Sequence, residues 1–228
     1  MKNIRIDWSD FIMEVISVFL GVMAVILVNN WSENRQNYKQ EQILYQSLEA
    51  DLESEIMEME IILNQTLILD SLFSVYVPAI MSKQADKEGL FRFLTRLANF
   101  SSYQSKHTTY EMLTASNSLH AISDVVFLKE IITHYSQEAH VQQIDNRYAQ
   151  FLTDQYEPFA VHHLSFADYF NPSDPKTNMN NLYDTHTFAN LLIGLQKFNT
   201  DRRNVYWYFK DQKVELLEKV QSKTVQND

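Results

Sequence analysis

No cysteine occurs in the chain's 228 residues, which excludes disulfides, thiolate zinc sites, iron–sulfur clusters and cysteine nucleophiles. Glycine and proline are scarce, with 3 and 4 copies. Strand-rich folds need many tight turns, so this shortage points to a few long helices. Phosphate cradles also need glycine, and neither a P-loop nor a dinucleotide fingerprint is present. Basic residues are missing between Lys39 and Lys83. Residues 33–70 hold nine acids against Arg35 and Lys39, and the whole chain carries a net charge of −10. Such a surface repels phosphate, so nucleic acid is a poor partner for it.

Charge is absent from one further stretch, Val15–Ser32, and Val15–Val28 is almost wholly apolar. Trp8 and Trp31 flank it. As a helix, eighteen residues rise about 27 Å and the two tryptophans lie about 34 Å apart, matching a bilayer's hydrocarbon slab and its aromatic belts. Residues 1–30 therefore read as an N-terminal flank and a transmembrane anchor whose partner is the lipid bilayer. A cleaved signal needs a small-residue cleavage site, and Val28-Asn29-Asn30-Trp31 offers none, so the helix is expected to be retained. Lys2, Arg5 and the α-amino group slightly outweigh Arg35 and Lys39, which favours the N-terminus inside and the bulk of the chain outside.

Within the anchor, Ser17, Gly21 and Ala24 share one face, either as a small-residue surface for a second helix or by chance. Glu14 reads first as an interfacial carboxylate, with pairing or ion handling as the alternative. Asn29 and Asn30 mark the exit into headgroups.

Leu44, Leu48, Leu52, Ile56, Met59 and Leu63 recur in steps of three and four, a helical stripe. One helix is expected from the membrane to about Tyr76, with residues 31–77 as a stalk that Pro78 ends or kinks. Leu90–Phe100 and Thr109–Ser116 read as short helices, the second capped at Asn117. Ser123 or Asp124 caps a helix that carries Leu128, Ile131, Tyr135, Ile144 and Tyr148 inward and ends before Pro158. Residues 165–184 are rich in Asn and Pro and read as a loop. A last helix runs from about Thr185 to Val220, with Phe188, Leu195, Phe209 and Leu216 on its stripe. The predicted fold is all-α: a transmembrane helix continuing into a long stalk, packed with an antiparallel helical bundle over residues 78–228.

Two blocks carry a resemblance. Glu14, the Gly21-containing apolar run and Val28-Asn29-Asn30-Trp31-Ser32-Glu33-Asn34-Arg35 resemble the anchor and exit of a family of bacterial single-pass membrane proteins with a domain of unknown function. Tyr110-Glu111-Met112-Leu113-Thr114-Ala115-Ser116-Asn117, followed by Asp124, Leu128, Ile132 and Tyr135, is similar to that family's second block. Asn117 stands where the family usually has glycine, and Ser32 where it usually has asparagine. The resemblance implies a membrane location and this architecture, and no functional residue can be carried over; the membrane expected is the bacterial inner membrane.

Chemistry-bearing patterns are sparse. The chain has no H-E-x-x-H and no Glu-x-x-His, and His134 with Glu130 or Glu138 reads as a helix surface pair. No catalytic residue, metal ligand or cofactor is expected. The acidic run reads as a solvated stalk face. Tyr206-Trp207-Tyr208-Phe209 wraps more than one helix face, so beyond plain core packing Trp207 or Tyr208 is a candidate contact for a partner, the 165–184 loop or headgroups. The function expected is non-enzymatic: a self-associating scaffold or accessory subunit of an envelope complex, a homo-oligomer or a membrane-complex component. The alternatives are a sensor or ligand-binding bundle and an ion-conducting oligomer built on Glu14, Ser17 and Asn29.

Overall fold

The computed structural model describes residues 8–104, 108–116, 119–183 and 186–225, with the side chains of 8–12, 14, 15, 120 and 225 excepted. Among these residues the chain is helical and has no strand. The first helix, α1 (Trp8–Met81), is 74 residues long, about 111 Å. After a short turn come α2 (Lys87–Ala98) and α3 (Thr108–Ala115), then a single 3₁₀ turn at Leu119–Ala121. α4 (Val125–Gln137) and α5 (Ala139–Phe151) lead through a π turn at Leu152–Tyr156 into α6 (Glu157–His163). Two short helices, α7 (Phe166–Phe170) and α8 (Met179–Tyr183), precede α9 (His186–Val225), 40 residues long.

α1 and α9 form an antiparallel pair that carries everything else. Its core is divided into three apolar blocks. Tyr45, Leu48 and Leu52 pack with Leu216 and Val220 and with Phe127, Ile131 and Tyr135 of α4. Met59, Ile62 and Leu63 pack with Tyr206 and Phe209. Leu69, Phe73 and Val77 meet Phe188, Leu192 and Leu195, together with the inner face of α2 and with Tyr148 and Leu152. The stripe predicted from the three-and-four spacing is therefore covered by this chain's own C-terminal helix.

Several sequence expectations shift at the boundaries. Pro78 does not end α1, because it lies in the last turn, where losing one N–H leaves only the Ser74 carbonyl without its helical donor. The helix closes three residues later. Lys83 adopts φ 57°, its N–H bonds to Ile80 O, and the Gln84 N–H bonds back to Ala79 O, a Schellman closure. The stalk is also not free: from Glu41 onward α1 is the central helix of the bundle itself. The single helix expected from Asp124 to Pro158 is broken at Glu138 and passes beyond Pro158 to His163. A π turn precedes that proline, with the Glu157 N–H bonding to Leu152 O, and its widened backbone accommodates a ring that denies Asp154 O a donor.

The 165–184 segment is built rather than loose. Buried Asp168 accepts the N–H groups of Lys176 (2.6 Å) and Thr177 (2.7 Å), Thr177 Oγ1 accepts the Ser165 N–H, and Lys87 Nζ donates to Pro175 O. Of the caps proposed, Asp124 holds the N–H groups of Val126 and Phe127, while Asn117 lies outside the described residues.

Candidate functional site: an uncovered anchor face and buried ionic layers

Among the residues whose side chains are described, the N-terminal third of α1 contributes nothing to the three apolar blocks. From Ile16 to Gln40 every residue is exposed, and an apolar 18-residue window there has mean hydropathy 1.5. By length and composition this segment can cross a membrane. Trp8 lies at its start, but the side chains of Trp8 and Glu14 lie outside those described. The Ser17 hydroxyl donates to Met13 O at 2.8 Å, so it is already satisfied within its own helix. A Cβ added at Gly21 meets nothing within 4 Å, which leaves that face, with Ala24, open to close approach. Asn29 and Asn30 are exposed. The Arg35 guanidinium sits 5.5 Å from the centre of the Trp31 ring, and Lys39 borders the same groove. That grouping suits the headgroup level, where aromatic rings and long basic side chains both find favourable surroundings.

Sequence reasoning missed the charged groups inside the bundle. Between the three apolar blocks lie buried polar layers. At the base, Glu41 accepts the N–H and hydroxyl of Ser123 (2.8 and 2.9 Å) and the Tyr45 hydroxyl. In the next layer Lys213 is wholly buried and donates to Glu55 Oε2 at 2.7 Å and to Glu138 Oε1. Its Nζ lies 3.3 Å from His134 Nε2 and above the rings of Tyr103 and Tyr135. An ammonium only donates, so Nε2 is the acceptor and the imidazole is neutral. His134 and Glu138 are therefore not the surface pair the spacing suggested, and Glu55 is not on a solvated face.

The upper layer centres on Asp145 of α5. It accepts Arg202 Nε (2.8 Å), the Tyr103 N–H (2.9 Å) and the Tyr206 hydroxyl. The Arg202 guanidinium is enclosed by Phe100, Tyr148 and Tyr206, with ring centres at 5.2, 4.8 and 5.9 Å, and Nη2 donates to Ser101 O. Beside it, buried Asn199 donates to Thr66 O and to Asp70, which also pairs with Arg203. The Lys213 and Arg202 layers join α1 or α5 to α9 in one axial alignment, and a slip by a single turn strands their charges, while the Glu41 layer fastens the turn before α4 to α1. The chemistry of the Lys213 and Arg202 layers is therefore that of a register lock between the long helices.

Burial, then the Lys213 charge, pushes the His134 imidazole down to about 4, while Glu138 acts in the opposite direction. The groups facing it are Glu55 from α1, Glu138 from the α4–α5 junction and Lys213 from α9. The unfolded chain takes up this proton near pH 6.5 and the folded protein only near pH 4, so the unfolded state binds more protons in between. Stability is expected to be full above about pH 6.5 and to fall by about 3 kcal/mol as pH drops to about 4. Denaturant melts of wild type and His134→Gln across that window check this; the variant should lose that part of the slope.

The aromatic cluster on α9 divides by face. Tyr206 and Phe209 point inward, whereas Trp207 is 47% and Tyr208 56% exposed. Lys210 Nζ lies 5.3 Å from the Trp207 ring centre. Tyr208 forms a ridge between two surface grooves, one bordered by Thr133 and Leu216, the other by His140 and Gln143.

The class these features define is an all-α bundle hung on one unbroken apolar-ended helix. No family model matches the chain, and neither the curated proteins nor the solved structures supply a match.

Proposed function

We propose that this protein is a membrane-anchored, self-associating helical scaffold, a component of a bacterial inner-membrane complex with its bundle on the periplasmic side. The observation that carries the reading is the continuity of α1: its exposed apolar end runs without a break into the central helix of the bundle. A bundle joined this way is held at a fixed height above the bilayer, and two copies anchored in one membrane present parallel helices in register. The resemblance of the anchor exit and the Tyr110–Asn117 block to bacterial single-pass membrane proteins supports the same placement.

Self-association is supported by a second feature. On the outer face of α1, Ile61, Asn64, Ile68, Ser71 and Val75 follow the a/d spacing of a coiled coil, and all are exposed. Between Glu60 and Lys83 the sole carboxylate of α1 is Asp70, and it pairs with Arg203 of the same chain. A strip facing its own copy must avoid like charges, and this one is uncharged. Its contacts are few, and confinement of both anchors to one membrane raises the effective concentration at which they meet.

The absence of cysteine makes the test direct. Carbonate extraction should leave the full-length protein in the membrane fraction; release ends the anchor reading. Single cysteines at Gly21, Ala24, Asn64 and Ser71 should form disulfide-linked dimers in native membranes, whereas Glu49→Cys on the α9-facing side should not. Failure at all four positions, with a control dimer crosslinking normally, removes self-association.

A further inference from the structure

A cleft of about 230 Å³ opens where α1, the C-terminal end of α2 and α9 meet. Ile68, Leu69 and Phe100 supply an apolar wall, and Gln65 and Asn99 contribute amides. Two arginines line it, Arg96 and Arg202, and no carboxylate does, on a chain whose net charge is −10. Arg202 is 1% exposed and immobilised by Asp145, Ser101 O and three aromatic rings. Its Nη1 makes no hydrogen bond among the described residues. Arg96 is exposed at the lip and has no ion-pair partner among them.

We infer that this cleft is a binding site for a small monocarboxylate with a compact apolar body, its head group on Arg96 at the lip beside Arg202 and its body against Ile68, Leu69 and Phe100. The charge count selects the class. Asp145 already balances Arg202, so the site offers one net positive charge, which suits a monoanion better than a phosphate dianion. A planar guanidinium matches a carboxylate's two oxygens, which makes this head group the natural complement of Arg96. The volume admits roughly ten non-hydrogen atoms, smaller than a drug-sized ligand. Leu69 lies about 57 Å along α1 from Trp31, so a headgroup at the anchor exit cannot reach the cleft. The ligand is therefore a soluble carboxylate and not a lipid.

Ile68 belongs both to the cleft and to the outer strip of α1, so filling the one and pairing the other meet at a single side chain. The two are separable by readout, since crosslinking reports pairing and ligand resonance reports binding.

The test is fluorine NMR on the full-length protein in nanodiscs, with 4-fluorobenzoate as probe and 4-fluorobenzamide and inorganic phosphate as comparisons. Wild type should broaden and saturate with the benzoate at millimolar concentration. Arg96→Gln should weaken binding at least about ten-fold with an unchanged melting temperature, and Arg96→Lys less so. The uncharged amide should bind at least about ten-fold more weakly than the benzoate, and phosphate should not displace it. Equal binding by wild type and Arg96→Gln, equal binding of acid and amide, displacement by phosphate, or no saturable binding would each overturn the inference.

Discussion

Lys213→Met should destabilise the bundle by about 3–5 kcal/mol, the scale seen when one partner of a buried ionic set is removed. The methionine fills nearly the same volume, so packing changes little, but Glu55 and Glu138 remain as buried carboxylates without their shared cation. His134 loses the charge that helps to depress its protonation and keeps Glu138, which favours it. The variant should therefore protonate His134 at a higher pH than wild type does. Replacing all three partners together, as Glu55→Leu, Lys213→Met and Glu138→Leu, should recover most of the loss, because no uncompensated charge is then buried. Thermal melting followed by circular dichroism checks both variants. A Lys213→Met protein within about 1 kcal/mol of wild type would show that water reaches the layer and that the lock is weak.

Asp145→Leu is the second large effect, also about 3–5 kcal/mol. This carboxylate compensates a guanidinium enclosed by three aromatic rings and simultaneously receives the Tyr103 N–H and the Tyr206 hydroxyl. Both leucine and asparagine leave the buried Arg202 charge without its counter-ion, but Asp145→Asn keeps the shape and one acceptor and should cost less than Asp145→Leu by about 1–2 kcal/mol. The difference between the two variants reports the hydrogen bonding, since the charge is lost in both. Hydrogen exchange localises the damage: the Tyr103 amide should lose protection in Asp145→Leu, since the 99–104 connection is fastened to the bundle there. Unchanged protection at Tyr103 in a destabilised variant would place the loss elsewhere.

Both effects arise at residues whose role the primary structure conceals. Lys213 and Glu55 are 158 positions apart, and Arg202 and Asp145 are 57 apart. Along α1, Glu55 carries no local mark that separates it from Glu53, which is exposed two residues earlier. The available signal was angular: Glu55 falls on the same helical face as Leu48, Leu52, Met59 and Ile62, and a charge inside an apolar stripe is an invitation to look for a buried partner. The pairing of His134 with Glu138 was legible as an i, i+4 relation, but its burial was not, because burial depends on which helix lands on that face. That Asn64, Ile68 and Ser71 form an outward-facing strip was likewise unreadable until α9 had covered the opposite side of α1.

What the sequence determined by itself is local and periodic. The charge-free stretch between its tryptophans, the three-and-four recurrence on α1 and α9, and the shortage of glycine and proline depend on neighbours within a few turns, and they led to an all-α fold with one apolar end. The tertiary structure decided which charges were taken from water and which apolar residues stayed in it. Those outcomes depend on the axial register of α1 against α9, an energy shared among residues far apart in the chain and invisible at any one of them.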